Sequence, residues 1–130
     1  MGLKNVSDKY PVAVIGAGSF GTAVANLLAE NGEVLLHSRR ADAVDIINHE
    51  RINNGQAIHP NVRATTDLQE ITENCYLLFP SVSSDAFRLT MRQMSPLLRP
   101  YHMIIHCTKG FDIKLEPGKT ILDKDITLKP

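Results

Sequence analysis

Short apolar runs alternate along this chain with segments whose apolar residues recur at helical spacing, the pattern of βαβ units around a parallel sheet. Val12–Ile15 reads as the first strand, and Thr22 to Asn31 as a helix with Ala23, Leu27 and Leu28 on its inward face, stopped by Asn31-Gly32. Glu33 to His37 is a second strand, and Ala41 to His49 a second helix turning Val44 and Ile47 inward. Arg51 to Pro60, with Asn53-Asn54-Gly55, reads as a loop before a short third strand, Val62 to Thr65. Asp67 can cap a brief helix with Glu70 at the capping-box position. Cys75 to Phe79 is apolar throughout, as a strand buried on both faces requires, and Pro80 ends it. Ser83 or Ser84 can cap a helix carrying Phe87, Met91 and Met94 on one stripe, which reads as core. His102 to Cys107 is a fifth strand, ending at Thr108-Lys109-Gly110. From Asp112 to Pro130 the chain is polar, holds two prolines and shows no complete element.

Between the first strand and the first helix lies Gly16-x-Gly18-x-x-Gly21. In that setting the first glycine permits a tight turn off the strand, the second lets backbone approach a pyrophosphate, and the third lets the helix pack closely on the sheet. The helix start adds free N–H groups and a partial positive charge. The pattern predicts an α/β domain with a doubly wound parallel sheet, a Rossmann-type dinucleotide-binding domain over residues 1–111. An NAD site usually closes its second strand with Asp or Glu, about 20 residues after the glycines. Here that point reads His37-Ser38-Arg39-Arg40, without a carboxylate. Two guanidinium groups there suit the extra phosphate of NADP, so NADP is the preferred cofactor, with NAD left open.

Composition changes the picture mainly by exclusion. Fourteen Lys plus Arg balance fourteen Asp plus Glu, which argues against nucleic acid or an acidic membrane as the main partner. Hydrophobic residues make up 43% of 130, enough for one domain with a core but short for a two-domain dehydrogenase. Cys75 and Cys107 sit in apolar runs without metal-ligand spacing and read as small buried hydrophobes of a cytoplasmic protein. No run has the length of a membrane span and no metal is expected. His37, His49, His59, His102 and His106 lack a carboxylate at triad-like spacing and read as structural or solvated.

The runs VIGAGSFGTAVANLLAENG, HSRR, LLFPSVSSDAF and HCTKGFD, in that order from Val12 to Asp112, resemble the N-terminal domain of NAD(P)-dependent glycerol-3-phosphate dehydrogenase. The resemblance implies cofactor contacts from Gly16, Gly18, Ser19, Phe20 and Gly21, with Arg39 and Arg40 at the adenosine phosphate. It implies that Pro80 and Ser81 border the nicotinamide side, and that Lys109 touches both cofactor and substrate. Phe20 stands where the bacterial family commonly has Trp, keeping an aromatic plane without the indole N–H. The family's helical second domain, with the general acid/base lysine, would lie beyond residues 112–130, which read as the start of a linker. No catalytic residue is therefore assigned within this chain. The implied substrates are glycerol 3-phosphate and dihydroxyacetone phosphate. A related two-domain reductase of another hydroxy acid or ketoacid, and a stand-alone dinucleotide-sensing module, stay open, as does a homodimer.

Overall fold

A computed structural model of the chain describes residues 10–106. Val12–Ile15 forms β1, Ser19–Leu28 α1, Val34–His37 β2 and Ala41–Glu50 α2. Ile52–Asn53 (β3) and Gln56–Ala57 (β4) make a small antiparallel hairpin. Val62–Thr65 is β5, Leu68–Asn74 α3, Leu77–Pro80 β6, Ser84–Met94 α4 and Met103–Ile104 β7. Five strands form one parallel sheet in the order β5-β2-β1-β6-β7, so the chain starts in the middle, winds outward one way, then crosses back past β1. This is the doubly wound Rossmann-type arrangement, and the order reverses between β1 and β6.

Successive residues of β1 serve opposite faces, as the two-residue period of a strand dictates. Val12 and Val14 pack with Val34, Leu36, Val62 and Ala64 beneath Ala25 of α1, Ala29 just after it and Ile47 of α2. Ala13 and Ile15 pack with Leu35 and Leu78 against Ile71 of α3 and Met94 of α4. Ile47, Ile71 and Met94 are fully enclosed, and burying each such side chain contributes about 1.5–3 kcal/mol. Met91 packs against the same core, and half-buried Phe87 rests on the His106 ring at 4.6 Å. The outer edge of β5 is closed by side chains: Asn48 donates to Ala64 O (3.0 Å) and accepts from Ala64 N (2.8 Å). Arg51 donates to Val62 O at 2.8 Å, so this edge offers little free backbone to another strand.

The structure corrects several details of the sequence reading. α1 begins three residues earlier than Thr22 and buries Gly21, Thr22 and Ala25, not Ala23 and Leu27; Leu27 is 68% exposed. The sheet is approached through the small residues, because bulk on that face would hold the helix away. The segment 51–60 is not a plain loop: Asn54 (φ 52°) and Gly55 (φ 78°) take left-handed conformations, the geometry of a type I′ hairpin turn. Asp67 caps α3 through the Gln69 amide (2.9 Å), but Glu70 does not complete a capping box. Its carboxylate instead pairs with Arg63 (2.7 Å) and accepts from the Thr65 hydroxyl (2.8 Å), and Thr65 Oγ1 accepts the Asp67 amide that a capping box would have taken. Cys75 is the C-cap of α3, its amide bonded to Ile71 O, so β6 starts at Leu77 and includes Pro80. Leu77 and Phe79 are only half-buried, packed at the margin of the cluster that holds Val12, Val14 and Ala25. The fifth strand is confined to Met103–Ile104; Cys107, Thr108, Lys109, Gly110 and the 112–130 segment lie outside the described residues.

Candidate functional site

The carboxyl ends of β1, β2 and β6 open onto a cleft of about 490 Å3 at the point where the strand order reverses, the place where open α/β sheets bind ligands. Gly16, Gly18, Ser19, Phe20 and Gly21 form one wall, and Arg39 and Arg40 line the end of β2. Ser81, Val82 and the first turns of α4, from Ser83 to Thr90, form the opposite side.

The glycines divide their work in a way the geometry makes explicit. Gly16 has φ +114°, and a Cβ there would stand 2.5 Å from Val82 Cγ1 and 2.8 Å from Ser81 O. At Gly21 a Cβ would overlap the Gly16 carbonyl oxygen, so the third glycine lets α1 close on the loop's own first residue. Gly18 is different: among the described residues, a Cβ there meets no atom within 4 Å beyond its own chain neighbours. Nothing internal demands a glycine at that point, while the space before it opens to the cleft. Gly18 is also the N-cap of α1, which has no capping side chain and no acid in its first turn. The amides of Ser19, Phe20 and Gly21 precede the first intrahelical bond, Thr22 N to Gly18 O (2.9 Å), and remain available to an external acceptor. A bare loop and an uncapped helix start together fit the diphosphate of a dinucleotide.

The far end of the cleft is cationic. Arg40 is the N-cap of α2, and its guanidinium makes two hydrogen bonds to the Asp42 carboxylate, at 2.9 and 3.3 Å. That bonding holds the Asp42 carboxyl below its usual range. Arg39 is exposed, lines the cleft and makes no hydrogen bond or ion pair among the described residues. His37, at the tip of β2, is 4% exposed and donates through Nε2 to Thr66 O (3.2 Å), which leaves Nδ1 without its proton in the neutral ring. Burial pushes the His37 pKa down; the Thr66 bond opposes this, the Arg39 charge adds to it and the Asp67 charge opposes it. The other histidines with hydrogen bonds are engaged elsewhere: His102 between Thr72 O and the Arg99 amide, His49 on Asp45 O, and His59 on the Asn61 amide.

Of the residues named from sequence, the structure brings together Gly16, Gly18, Ser19, Phe20, Gly21, Arg39 and Arg40. Pro80 is enclosed at the end of β6, opposite Ile15, and does not line the cleft; Ser81 beside it does. Lys109 is outside the described residues. His37, Ser38, Val82, Leu89 and Thr90 line the cleft without having been singled out. Their signal was position, at a strand tip or in the first turns of the helix after β6. A second group missed from sequence lies behind the glycine loop, where Asn53 and Gln56 of the hairpin donate to loop carbonyls.

Residues 11–127 match the family described as NAD-dependent glycerol-3-phosphate dehydrogenase N-terminus. The chain is 41% identical over 113 residues to the glycerol-3-phosphate dehydrogenase (NAD(P)+) of Saccharophagus degradans, covering 83% of this chain and 32% of that protein. It is 36% identical over 112 residues to the corresponding Pseudomonas paraeruginosa protein, covering 82% and 33%. The chain thus spans about a third of the length of these relatives. The crystal structure of glycerol-3-phosphate dehydrogenase from Coxiella burnetii is similar with a TM-score of 0.71 and 34% identity, over 77% of this chain and 32% of that one. A 3-hydroxyacyl-CoA dehydrogenase from Archaeoglobus fulgidus shares the fold, with a TM-score of 0.60 and 24% identity over 77% of this chain and 34% of that one.

Proposed function

The chain belongs to the family of NAD-dependent glycerol-3-phosphate dehydrogenase N-terminal domains, and from that premise we propose that its cleft holds NAD(P)H as the cofactor half of an oxidoreductase. In this reading the reaction is the interconversion of dihydroxyacetone phosphate and sn-glycerol 3-phosphate. The nicotinamide supplies the hydride when bound; the residues of this chain bind and orient. Amides at Gly18 to Gly21 take the diphosphate, with Phe20 against it. Arg39, whose guanidinium has no partner among the described residues, takes the 2′-phosphate that distinguishes NADP, and Arg40 assists at the cost of its bond to Asp42. Ser81 flanks the nicotinamide end, with Pro80 enclosed behind it. Lys109 is assigned to cofactor and substrate together in the same reading, as a compact cation suited to a phosphorylated triose. In this reading residues 1–111 are the cofactor domain. The same reading places the protein in the cytoplasm, where a free thiol such as Cys75 stays reduced.

The observation that carries this reading is Gly18, a position where the chain itself needs no glycine and where an incoming phosphate does. Calorimetric titration of the 130-residue chain with NADPH and NADH tests it. Both are expected to bind, NADPH more tightly. Arg39→Ala removes a charge-assisted phosphate contact and is expected to weaken NADPH about 10- to 100-fold while leaving NADH nearly unchanged. No binding at millimolar NADPH overturns the proposal, and equal losses for both cofactors overturn the assignment of Arg39. Sedimentation of the same sample settles whether the homodimer left open by the sequence forms.

A further inference from the structure

We infer that Asn53 and Gln56, on the β3–β4 hairpin, are positioning residues that aim the phosphate-binding amides of the glycine loop. The inference rests on the reading above, that this loop takes a diphosphate. Asn53 Nδ2 donates to Ala17 O at 2.9 Å and to Thr22 Oγ1 at 2.8 Å. Asn54 Nδ2 adds a longer bond to Ala17 O, 3.4 Å, and Gln56 Nε2 donates to Ser19 O at 2.9 Å. Neither Asn53 nor Gln56 lines the cleft, so any effect on a ligand passes through the loop.

Peptide geometry converts these contacts into a statement about the other side of the loop. The described chain has no cis peptide bond. In a planar trans peptide the carbonyl and the following N–H point in opposite directions. The Ala17 carbonyl shares its plane with the Gly18 amide, and the Ser19 carbonyl shares its plane with the Phe20 amide. Side-chain donors that pin both carbonyls from the hairpin side therefore turn both amides away from the hairpin, toward the cleft. Gly16 and Gly18 have no side chains with which to fix those planes themselves, and a glycine-containing loop has more orientations to lose. A donor on a carbonyl also polarises the amide in the same peptide unit, strengthening it as a donor. The hairpin also has a separate anchor that touches neither of these carbonyls: Asn26 of α1 donates to Ala57 O (2.8 Å) and accepts from the His59 amide (2.9 Å), and the Ile58 amide bonds Arg51 O (3.0 Å).

The test separates aiming from general support. Asn53→Ala, Gln56→Ala and the control Asn26→Ala, which loosens the hairpin without touching a loop carbonyl, are compared with the unaltered 130-residue chain. Each is titrated with ADP, which carries a diphosphate, and with adenosine 2′-monophosphate, which does not. The amide resonances of Gly18 and Phe20 are followed by NMR. Loss of either loop donor is expected to weaken ADP about tenfold and to shift its amide resonance: Gly18 for Asn53→Ala, Phe20 for Gln56→Ala. Adenosine 2′-monophosphate should change less than twofold, and Asn26→Ala should leave ADP binding near its original value. Parallel losses for both nucleotides, ADP weakened as much by Asn26→Ala, or ADP unaffected by both loop-donor changes overturns the inference. If Asn53→Ala does not fold, Gln56→Ala, which removes one bond to one carbonyl, decides alone. Failure of the unaltered chain to bind ADP at all overturns the diphosphate reading instead, a distinct result.

Discussion

At the scale of single residues, Gly18 and Gly21 are the same amino acid three positions apart with opposite reasons to be there. A methyl group at Gly21 would occupy the space of the Gly16 carbonyl oxygen, backbone against backbone, with no flexible side chain to yield. Gly21→Ala is therefore expected to destabilise the chain by about 1–3 kcal/mol, the range for overpacking, or to prevent folding. At Gly18 the φ of −81° suits any residue and the added methyl meets only open space. Gly18→Ala should cost about 1 kcal/mol or less, the difference between these residues at an N-cap, yet it should weaken NADPH at least about tenfold by standing where the phosphate must approach. Urea denaturation and calorimetry on both variants check this. If Gly18→Ala binds NADPH as the original chain does, the second glycine is not there for the ligand. Cys75 gives a further contrast: burial pushes its thiol up to about 12, so this cysteine is core and not a nucleophile.

At the scale of elements, the sequence reveals what repeats and hides what is particular. Val12–Ile15 was legible to the residue as an apolar run closed by a turn signal, and Val62–Thr65 as a short run in which Val62 and Ala64 alternate with Arg63. α2 was legible because Val44 and Ile47 stand one turn apart on a helix with Asp42, Asp45, Asn48 and Glu50 among its other residues. The inward face of α1 was not. The sequence reading chose Ala23, Leu27 and Leu28, of which Leu28 does pack on the core, whereas close packing on the sheet fully buries Gly21, Thr22 and Ala25, with Ala29 just past the helix. The hairpin was hidden for another reason. Its strands are two residues each and carry no hydrophobic alternation, so only Asn54-Gly55 betrays it. In the site, Gly16, Gly18, Gly21, Arg39 and Arg40 could be read from spacing and charge. Asn53 and Gln56 could not, since they reach the loop from more than 30 residues away in sequence. The α1 correction has a direct consequence. Leu27→Lys, at a position 68% exposed, should change stability by no more than about 0.5 kcal/mol. Ala25→Leu, at a position with no exposure, should lose about 1–3 kcal/mol by forcing α1 off the sheet. A chain more disturbed by Leu27→Lys than by Ala25→Leu would show that the sequence reading had the right face.

At the scale of the whole molecule, stability follows the protons that folding displaces, and here the first of them belongs to the cleft. His37 has its folded pKa lowered from 6.5, chiefly by burial at the tip of β2. Above pH 6.5 the ring is neutral in both folded and unfolded chains, and its burial carries no protonation penalty. Below 6.5 the unfolded chain takes up the proton first, so stability falls as the pH falls toward the folded value. Asp42 and Glu70 have their pKa values lowered by hydrogen bonds to Arg40 and Arg63 respectively. What they contribute is present above about pH 4.5 and is lost only beneath it, and both pairs are too exposed to contribute much. The acid limb should therefore begin near neutrality with His37 and steepen later with the carboxylates. His37→Gln keeps a donor for the Thr66 carbonyl but cannot titrate. Comparing urea midpoints at pH 7.5 and 5.5, the unaltered chain should lose more stability than His37→Gln over this interval. Equal losses between 7.5 and 5.5 would mean that the His37 ring accepts its proton without disturbing the fold.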